Sequence, residues 1–224
     1  MPGLRICDVN VDGELRLNCP HEELLTLPLS VRERAKAVSN WRISGYHLHE
    51  PAAAAMFELD KFKSICSALF DRPAVPRYSL AFSKGSQQAV HQDSCVFHVW
   101  PRNYLIGIWT ACEDITLDSG PLEYYPGSHR EPLFVEYDNY PQTQRRTVDP
   151  EGCARYDSYV QELAAKYPRK LLTPRKGTTL FWHAMLIHGG SPVANPASTR
   201  KSLVLHYMAD GADKSAEVEG PFNW

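Results

Sequence analysis

The sequence predicts a mostly β domain of the jelly-roll or barrel type, preceded by a flank that is mainly helical. From residue 77 onward, short segments rich in aromatic and β-branched residues alternate with turns such as Asp118–Pro121. These segments show no βαβ alternation, which favours a jelly-roll or barrel over a parallel sheet. We see no linker, and we therefore expect a single domain over residues 1–224, with residues 1–76 as the flank and residues 77–210 as the jelly-roll core.

Two helices are expected in the flank. Ser30 can cap a helix over Val31–Val38, with Glu33 at the capping-box position. Pro51 suits the first position of a second helix, which runs without Gly or Pro to Phe70. The remainder of the flank is expected to be helical or irregular.

Six strands are expected in the core, and an insertion separates the first four from the last two. The insertion, Pro132–Lys170, is predicted to be a loop followed by a helix over Asp157–Tyr167. Its aromatic and basic residues could form a lid that meets a polar or anionic substrate, or a solvated surface (Tyr137, Tyr140, Arg145, Arg146 and Tyr156). The expected strands are Tyr78–Phe82, Val90–Val99, Tyr104–Ile115, Leu122–Tyr125, Thr178–Ile187 and Ser202–Met208.

Composition argues against several classes of function. Of the 224 residues, 43% are hydrophobic and 22% are charged, as in a globular domain with a sizeable core. The net charge of −2 gives no electrostatic reason to bind nucleic acid or an anionic membrane. No apolar run approaches the roughly 20 residues of a membrane span, and residues 1–11 contain no apolar signal-peptide region. We therefore expect a cytoplasmic protein that binds neither nucleic acid nor a membrane.

The six cysteines predict neither a zinc site nor a dithiol redox motif. They are scattered along the chain, and none forms a C-x-x-C pair. An even number of cysteines in a chain of this length does not indicate a disulfide framework, and free thiols are expected.

His91 and Asp93 form a His-x-Asp motif within the predicted strand Val90–Val99. Residues two apart on a strand point to the same face, so this spacing directs an imidazole and a carboxylate at one point. Taken alone, the motif is equally compatible with two surface side chains that have no joint role.

A second histidine, His188, stands at the predicted end of a strand, just before Gly189 and Gly190. Two imidazoles and one carboxylate can occupy one face of an iron(II) ion and leave the opposite face open for other ligands. His183 competes for this role, but an odd separation places it and His188 on opposite faces of a strand. The neighbouring glycines and the relation to Arg200 favour His188.

Arg200 precedes the last predicted strand, and Ser202 shares its face. An arginine fork can hold a carboxylate through two hydrogen bonds, and a serine hydroxyl can add a third. Such a pair can bind the distal carboxylate of a 2-oxo acid that is chelated on the open face of the metal. In isolation, Arg200 and Lys201 would be interpreted as an exposed basic pair.

Several further residues are candidates with a structural alternative. Trp109 could form a wall of the pocket, although core packing is usual for such an aromatic residue. Gln87 and Gln88 could donate hydrogen bonds to a cofactor carboxylate or to substrate, or could form a polar loop. His129 is expected to fix a loop or to face substrate. Four other histidines have no partner spacing and are expected to be structural (His47, His49, His98 and His206).

Five stretches occur in a recognisable order: GSQQAVHQD (85–93), GIWTACEDI (107–115), GPLEYYPGSHR (120–130), LIHGGS (186–191) and TRKS (199–202). Together they resemble the phytanoyl-CoA dioxygenase (PhyH-like) family of iron(II)/2-oxoglutarate-dependent oxygenases, over roughly residues 78–210. The flank through about Arg72 matches the family poorly.

The resemblance implies a double-stranded β-helix, the cupin-like form of the jelly roll. It implies iron(II) bound by His91, Asp93 and His188, and 2-oxoglutarate held through Arg200 and Ser202 with Trp109 beside it. O2 is then the second cosubstrate, and hydroxylation releases succinate and CO2. A carboxylate at Asp93 favours hydroxylation, desaturation or cyclisation over halogenation, because related halogenases have a small residue there. The family is chemically diverse, so the resemblance implies a small-molecule substrate without identifying a particular one.

Two other interpretations use the same scaffold. One is a cupin-like metalloenzyme that is not an oxygenase, against which the Arg200–Ser202 pair argues. The other is a non-catalytic binding protein, against which the intact metal-ligand set argues.

Overall fold

Two antiparallel β-sheets form the centre of the part of the chain that the computed structural model describes, namely residues 3–95, 97, 99, 101–132, 134 and 150–212. The strands are β1 (Arg5–Val11), β2 (Glu14–Pro20), β3 (Arg42–Ser44), β4 (Ala74–Phe82), β5 (Leu105–Ala111), β6 (Leu122–Tyr124), β7 (Lys170–Leu172), β8 (Thr179–His183), β9 (His188–Gly190) and β10 (Ser202–Ala209). The helices are α1 (His21–Leu25), α2 (Leu29–Val38), α3 (Pro51–Phe57), α4 (Asp60–Phe70) and α5 (Pro150–Ala164).

The larger sheet has the strand order β2-β1-β3-β4-β10-β5-β8, and the smaller sheet has the order β7-β6-β9. Every pairing within them is antiparallel. The prediction of a mostly β fold is therefore confirmed. None of the described helices is long and apolar enough to cross a membrane.

Both faces of the larger sheet are covered by apolar side chains. On the inner face, Trp109, Trp182 and Val204 share a buried cluster with Leu122 of the smaller sheet, so the two sheets pack together. On the outer face, α3 and α4 bury a helical stripe that includes Phe62 against the strands. This packing leaves the inner face of β10, β5 and β8 to position buried polar side chains.

The flank contains strands that the sequence analysis did not foresee. β1 and β2 form a hairpin, with Asp12 and Gly13 at φ values of 49° and 96°. An Asp-Gly pair between two alternating segments is a strong hairpin signal, and it was available in the sequence. Through β3, this hairpin extends the larger sheet beyond the expected core.

Both predicted flank helices need correction. The first begins at Leu29, with Pro28 at the N-cap and no capping side chain, so Ser30 lies inside the first turn. The second is divided by Glu58 and Leu59, where Leu59 adopts an extended conformation. The break allows α3 and α4 to present separate buried faces to the core.

The strands near the site are shorter than expected. His91 makes an isolated bridge and Asp93 begins a 3-10 turn, so the described residues of the predicted strand Val90–Val99 do not form a strand. The strand beginning at Thr179 ends at His183, and residues 184–187 leave the larger sheet before β9 begins. All six cysteines are free.

Candidate active site

A backbone bridge brings His91 and His188 together. Each residue donates its N–H to the other's carbonyl oxygen, at 2.9 and 3.0 Å. Their rings consequently lie side by side, with centroids 4.5 Å apart. Because β9 pairs with β6 on its other side, His188 is fixed between two backbone partners.

His91, Asp93 and His188 offer three ligand atoms to one point. Oδ1 of Asp93 lies 3.7 Å from Nε2 of His91 and 3.6 Å from Nε2 of His188. Among the described residues, these three form a group of possible metal ligands whose ligand atoms all lie within 4.8 Å of one another. Two imidazoles and one carboxylate are suited to a divalent transition metal with open positions.

Both imidazoles are oriented for metal binding by the chain that precedes them. Nδ1 of His91 donates to the carbonyl oxygen of Ala89 at 2.8 Å, and Nδ1 of His188 donates to that of Leu186 at 3.0 Å. A carbonyl only accepts, so the proton stays on Nδ1 and the lone pair stays on Nε2. Histidines that bind metals usually donate the N–H of the other ring nitrogen to a carbonyl oxygen or a carboxylate in this way.

Asp93 is buried and charged. Burial by itself would raise the pKa of its carboxyl group, but the facing imidazoles of His188, His206 and His91 outweigh burial and hold the pKa well below its usual range. Its other oxygen, Oδ2, accepts a hydrogen bond from the indole N–H of Trp182 at 2.7 Å and lies 3.2 Å from Nε2 of His206.

Trp182 was not predicted from the sequence, and His206 was expected to have only a structural role. Both lie on the inner face of the larger sheet. Trp182 of β8 pairs with Gly107 of β5 from one side, and His206 of β10 pairs with it from the other. In the sequence, Trp182 is only an aromatic residue before His183, and His206 is only a histidine inside the last strand. Their common contact with Asp93 depends on the pairing of β8, β5 and β10.

Arg200, Ser202 and Trp109 present buried donors that have no partner among the described residues. These are Nε of Arg200, Oγ of Ser202 and Nε1 of Trp109. Arg200 is 3% exposed, and burial lowers its pKa to about 10, so it remains a cation near neutral pH. Its guanidinium lies over the ring of Phe82 at 5.5 Å. A buried cation beside unpaired donors suits a carboxylate ligand.

Strand register places Ser202 and Trp109 on the face that carries Trp182 and His206. Ser202 pairs with Ala111, and two residues further along β10 Val204 pairs with Trp109. Residues directly opposite one another point to the same side of a sheet. Two of the predicted cosubstrate-binding residues therefore share one inner surface with the two residues that contact Oδ2 of Asp93.

The glutamines before His91 contribute to the loop. The side chain of Gln87 is bonded to Asn40 and to the N–H of Val193. The carbonyl oxygen of Gln88 accepts from the N–H of Gly190, and Gln88 itself is partly exposed. Among the described residues, no hydrogen bond joins the Gln88 side chain to His91, Asp93 or His188, so a cofactor role for it stays a prediction.

His183 lies outside the cluster, although the reason given from strand parity was wrong. It ends β8 in the larger sheet, whereas His188 belongs to the smaller sheet. Its ring lies 5.9 Å from that of His129, and burial and His129 lower its pKa. The neighbouring Ser128 accepts a hydrogen bond from the N–H of Ile187, which fixes the turn before His188.

The described part of the insertion packs onto the segment that carries His91 and Asp93. Tyr156 of α5 is fully buried, and its hydroxyl accepts a hydrogen bond from the N–H of Gln92 at 2.9 Å. It therefore does not have the substrate-facing or solvated position that was predicted for it. The other residues proposed for a lid, and also His98, lie outside the described residues (Tyr137, Tyr140, Arg145 and Arg146).

Comparison with known proteins identifies the family. A sequence profile described as phytanoyl-CoA dioxygenase (PhyH) matches residues 32–202, which is more than half of the chain. This chain belongs to the phytanoyl-CoA dioxygenase family. The matched range begins inside the flank, upstream of the region in which the sequence alone resembled the family.

Named relatives within the phytanoyl-CoA dioxygenase family are distant. The peroxisomal phytanoyl-CoA dioxygenase of Rattus norvegicus is 33% identical over 124 residues, which are 55% of this chain and 34% of that protein. Phytanoyl-CoA dioxygenase domain-containing protein 1 of Danio rerio is 25% identical over 185 residues, covering 80% of this chain and 58% of that one. The chain thus spans about a third of the length of the rat enzyme.

Solved structures share the fold at low identity. The carbocyclase SnoK, described as non-heme and alpha-ketoglutarate dependent, superposes with a TM-score of 0.60 at 18% identity, covering 77% of this chain and 65% of that one. EctD from S. alaskensis, solved with 2-oxoglutarate and 5-hydroxyectoine, superposes with a TM-score of 0.58 at 21% identity, covering 90% and 68%. The cupin-like jelly roll predicted from the sequence is thereby confirmed.

Proposed function

We propose that this chain is an iron(II)- and 2-oxoglutarate-dependent oxygenase that hydroxylates an unactivated C–H bond of a small molecule and releases succinate and CO2. The observation that carries the proposal is the convergence of His91, Asp93 and His188 beside a sheet surface that holds the buried, unpaired donor of Arg200. A metal triad alone would suit many metalloenzymes. The buried guanidinium of Arg200, whose Nε has no partner among the described residues, adds a site for the second carboxylate of a 2-oxo acid.

The metal-binding part of the proposal rests on donor chemistry. His91 and His188 would bind iron through Nε2, and Asp93 would bind through Oδ1. Three protein ligands on one side leave positions for a chelating cosubstrate and for O2. The low pKa of Asp93 supports this role, because the carboxyl group is already ionised when the metal arrives.

The cosubstrate part rests on buried donors. Arg200 would bind the distal carboxylate of 2-oxoglutarate, Ser202 would add a hydroxyl donor, and Trp109 would lie beside them. The backbone N–H of Arg200 donates to the carbonyl oxygen of Ser83 at 2.9 Å, which anchors the start of β10. A carboxylate in this position would pair a buried cation that forms no ion pair with the described residues.

When bound, iron, 2-oxoglutarate and O2 supply the oxidising chemistry, and the protein supplies placement. His91, Asp93 and His188 fix the metal on a rigid edge formed by β9 and the His91 bridge. Arg200 and Ser202 orient the cosubstrate relative to that edge, and the buried indoles of Trp109 and Trp182 exclude water from its surroundings. Asp93 fills the third protein position with a carboxylate, which favours hydroxylation over halogenation.

A small-molecule substrate is supported by the ligands of structural neighbours. EctD was solved with 5-hydroxyectoine, and the epimerase SnoN was solved with Fe3+, alpha-ketoglutarate and nogalamycin RO. These proteins share the fold and differ in their substrates, so we propose the class of substrate and the reaction type rather than a particular compound.

The first experiment is an anaerobic titration. Iron(II) and then 2-oxoglutarate are added to metal-free protein, and the weak visible charge-transfer band of the chelate is recorded. We expect the band in wild type, its loss in Asp93→Ala and His188→Ala, and a much higher 2-oxoglutarate requirement in Arg200→Ala. His49→Ala and Arg34→Ala, which change residues away from the site, serve as matched controls. Admission of O2 should then yield succinate.

Each failure of the titration has a separate meaning. Iron binding without the band would contradict the 2-oxoglutarate role and favour a cupin-like metalloenzyme. No iron binding would favour a non-catalytic binding protein. If the band forms, its shift on adding candidate compounds identifies substrates, and transfer of one labelled oxygen atom from O2 to the product tests hydroxylation directly.

A further inference from the structure

The second carboxylate oxygen of Asp93 is held by two residues outside the triad. We propose that Trp182 and His206 are positioning residues that keep Asp93 turned so that Oδ1 alone faces the metal, and that Gly107 provides the space which the Trp182 indole requires. This inference rests on the proposed iron site, and it adds three residues that act through Asp93.

The hydrogen bonds to Oδ2 are short and shielded from water. Nε1 of Trp182 lies 2.7 Å from Oδ2, and Nε2 of His206 lies 3.2 Å from it. Trp182, His206 and Asp93 are 5%, 2% and 4% exposed. An indole N–H can only donate, and a bond to a carboxylate is roughly twice as strong as one between neutral groups. Oδ2 is thus engaged, while Oδ1 remains available between the two imidazoles.

The same indole also contacts His188. The ring centroids of Trp182 and His188 lie 4.9 Å apart at an interplanar angle of 46°. Trp182 therefore touches two proposed ligands that come from separate segments, the 3-10 turn at Asp93 and strand β9. A change in its position would move both ligands relative to one another.

His206 is fixed by aromatic packing on its other sides. Its ring lies 4.1 Å from that of Phe97 and stacks at 6.4 Å on that of Tyr78. The ring of Trp182 meets it edge-on at 6.3 Å. Nδ1 of His206 is buried and has no partner among the described residues. The polar contact of the ring is therefore the one between Nε2 and Asp93.

Gly107 lies between these two residues in the sheet. It pairs with Trp182 of β8 on one side and with His206 of β10 on the other. A Cβ atom built on Gly107 would lie 2.5 Å from Nε1 of Trp182, and closer still to Cε2 and Cζ2. The backbone of Gly107 is not in the left-handed region. Space for the donor edge of the indole, rather than backbone freedom, is therefore what requires glycine here.

The consequence for the metal follows from carboxylate geometry. A carboxylate without partners on Oδ2 can rotate, and it can then chelate an ion with both oxygens or turn away from it. Two donors on Oδ2 remove that freedom before the metal binds. Partners of this kind are typically worth about 10–100-fold in metal affinity or activity.

The test compares Trp182→Phe, which removes the donor and keeps most of the ring, with Trp41→Phe, which alters a partly buried tryptophan of the flank. Mn(II) affinity is measured from the electron paramagnetic resonance signal of the unbound ion. We expect binding about 10–100-fold weaker in Trp182→Phe and unchanged in Trp41→Phe. The visible spectrum of the Co(II)-loaded protein should also change in Trp182→Phe, because the coordination by Asp93 changes. Loss of packing alone would leave this spectrum unaltered.

Two further measurements test the proposal even if Trp182→Phe does not fold. Gly107→Ala keeps Trp182 but displaces it, and we expect weaker Mn(II) binding in that variant as well. In wild type, the indole N–H of Trp182 should resonate downfield and exchange slowly with solvent, as a buried bond to a carboxylate requires.

The outcomes separate this inference from the proposed function. Wild-type binding of Mn(II), with equal affinity and an equal Co(II) spectrum in Trp182→Phe, would overturn the inference and leave the iron site standing. An indole N–H of Trp182 that exchanges as fast as that of Trp41 would overturn it without any variant. A wild type that binds no divalent ion would overturn the proposed function, and the inference with it.

Discussion

The hydroxyl of Tyr156 accepts a hydrogen bond from the backbone N–H of Gln92 at 2.9 Å. Gln92 is the residue between His91 and Asp93, and it is fully buried. Its side-chain amide donates to the carbonyl oxygen of Met185, in the segment that leads to His188. Helix α5 is thus joined to both segments that carry the proposed metal ligands.

Tyr156→Phe should lower stability and weaken metal binding. The change leaves a buried N–H without this acceptor, which costs about 1–3 kcal/mol. Because that N–H lies between His91 and Asp93, Mn(II) affinity should also fall, although by less than in Trp182→Phe. Urea unfolding measures the first effect and metal titration measures the second.

The matched control for Tyr156→Phe is Tyr159→Phe on the same helix. The hydroxyl of Tyr159 donates to the carbonyl oxygen of Pro132, and this bond is solvent-exposed. We expect a change in unfolding free energy below about 1 kcal/mol and no effect on metal binding. Equal effects of the two substitutions would show that the Gln92 bond does not support the metal site.

Arg200→Met should separate stability from cosubstrate binding. A buried guanidinium with an unpaired Nε destabilises the protein in the absence of a carboxylate, since burial lowers its pKa to about 10. The ligand-free variant should therefore be at least as stable as wild type, by roughly 0–2 kcal/mol in unfolding free energy. Calorimetry with and without 2-oxoglutarate measures both quantities.

With iron or Mn(II) bound, 2-oxoglutarate should raise the melting temperature of wild type and not that of Arg200→Met, because the ligand supplies the missing partner. Arg34→Met on the exposed surface is the control, and it should retain the full ligand effect. A marked loss of ligand-free stability in Arg200→Met would mean that this cation is a structural element rather than a carboxylate site.

The convergence of His91, Asp93 and His188 could be predicted because His91 and Asp93 stand close together in the sequence and carry distinctive chemistry. The structural reason offered for their convergence was wrong, because these residues do not lie on one strand. A β-bridge presents His91, and the following 3-10 turn presents Asp93. A spacing of two brings side chains together in several backbone conformations, so the prediction of residues did not depend on the prediction of the strand.

Residues that act through strand register were not predictable. Trp182, Gly107 and His206 are far apart in the sequence and become neighbours only when β8, β5 and β10 pair. A shift of one residue would move each side chain to the other face of the sheet. Periodicity within a single strand carries no information on that register, and so the support behind Asp93 appeared only in three dimensions.

Gly190→Ala should disturb the metal site through the backbone beside it. A Cβ on Gly190 would lie 2.5 Å from Oγ of Ser86 and 2.7 Å from the backbone N of Gln87. Relief of this clash must move β9 away from the segment that leads to His91, and with it the bridge between His91 and His188. We expect destabilisation of about 1–3 kcal/mol, together with weaker Mn(II) binding.

Gly177→Ala distinguishes local strain from damage to the site. Gly177 has a φ of 86° and no neighbouring atom within 4 Å of its Cβ position. Alanine there should destabilise the protein by about 1–2 kcal/mol through the left-handed backbone alone and leave Mn(II) affinity unchanged. Urea unfolding and metal titration of both variants give the comparison. If Gly190→Ala also retains full affinity, the close approach of β9 to Ser86 and Gln87 does not position His188.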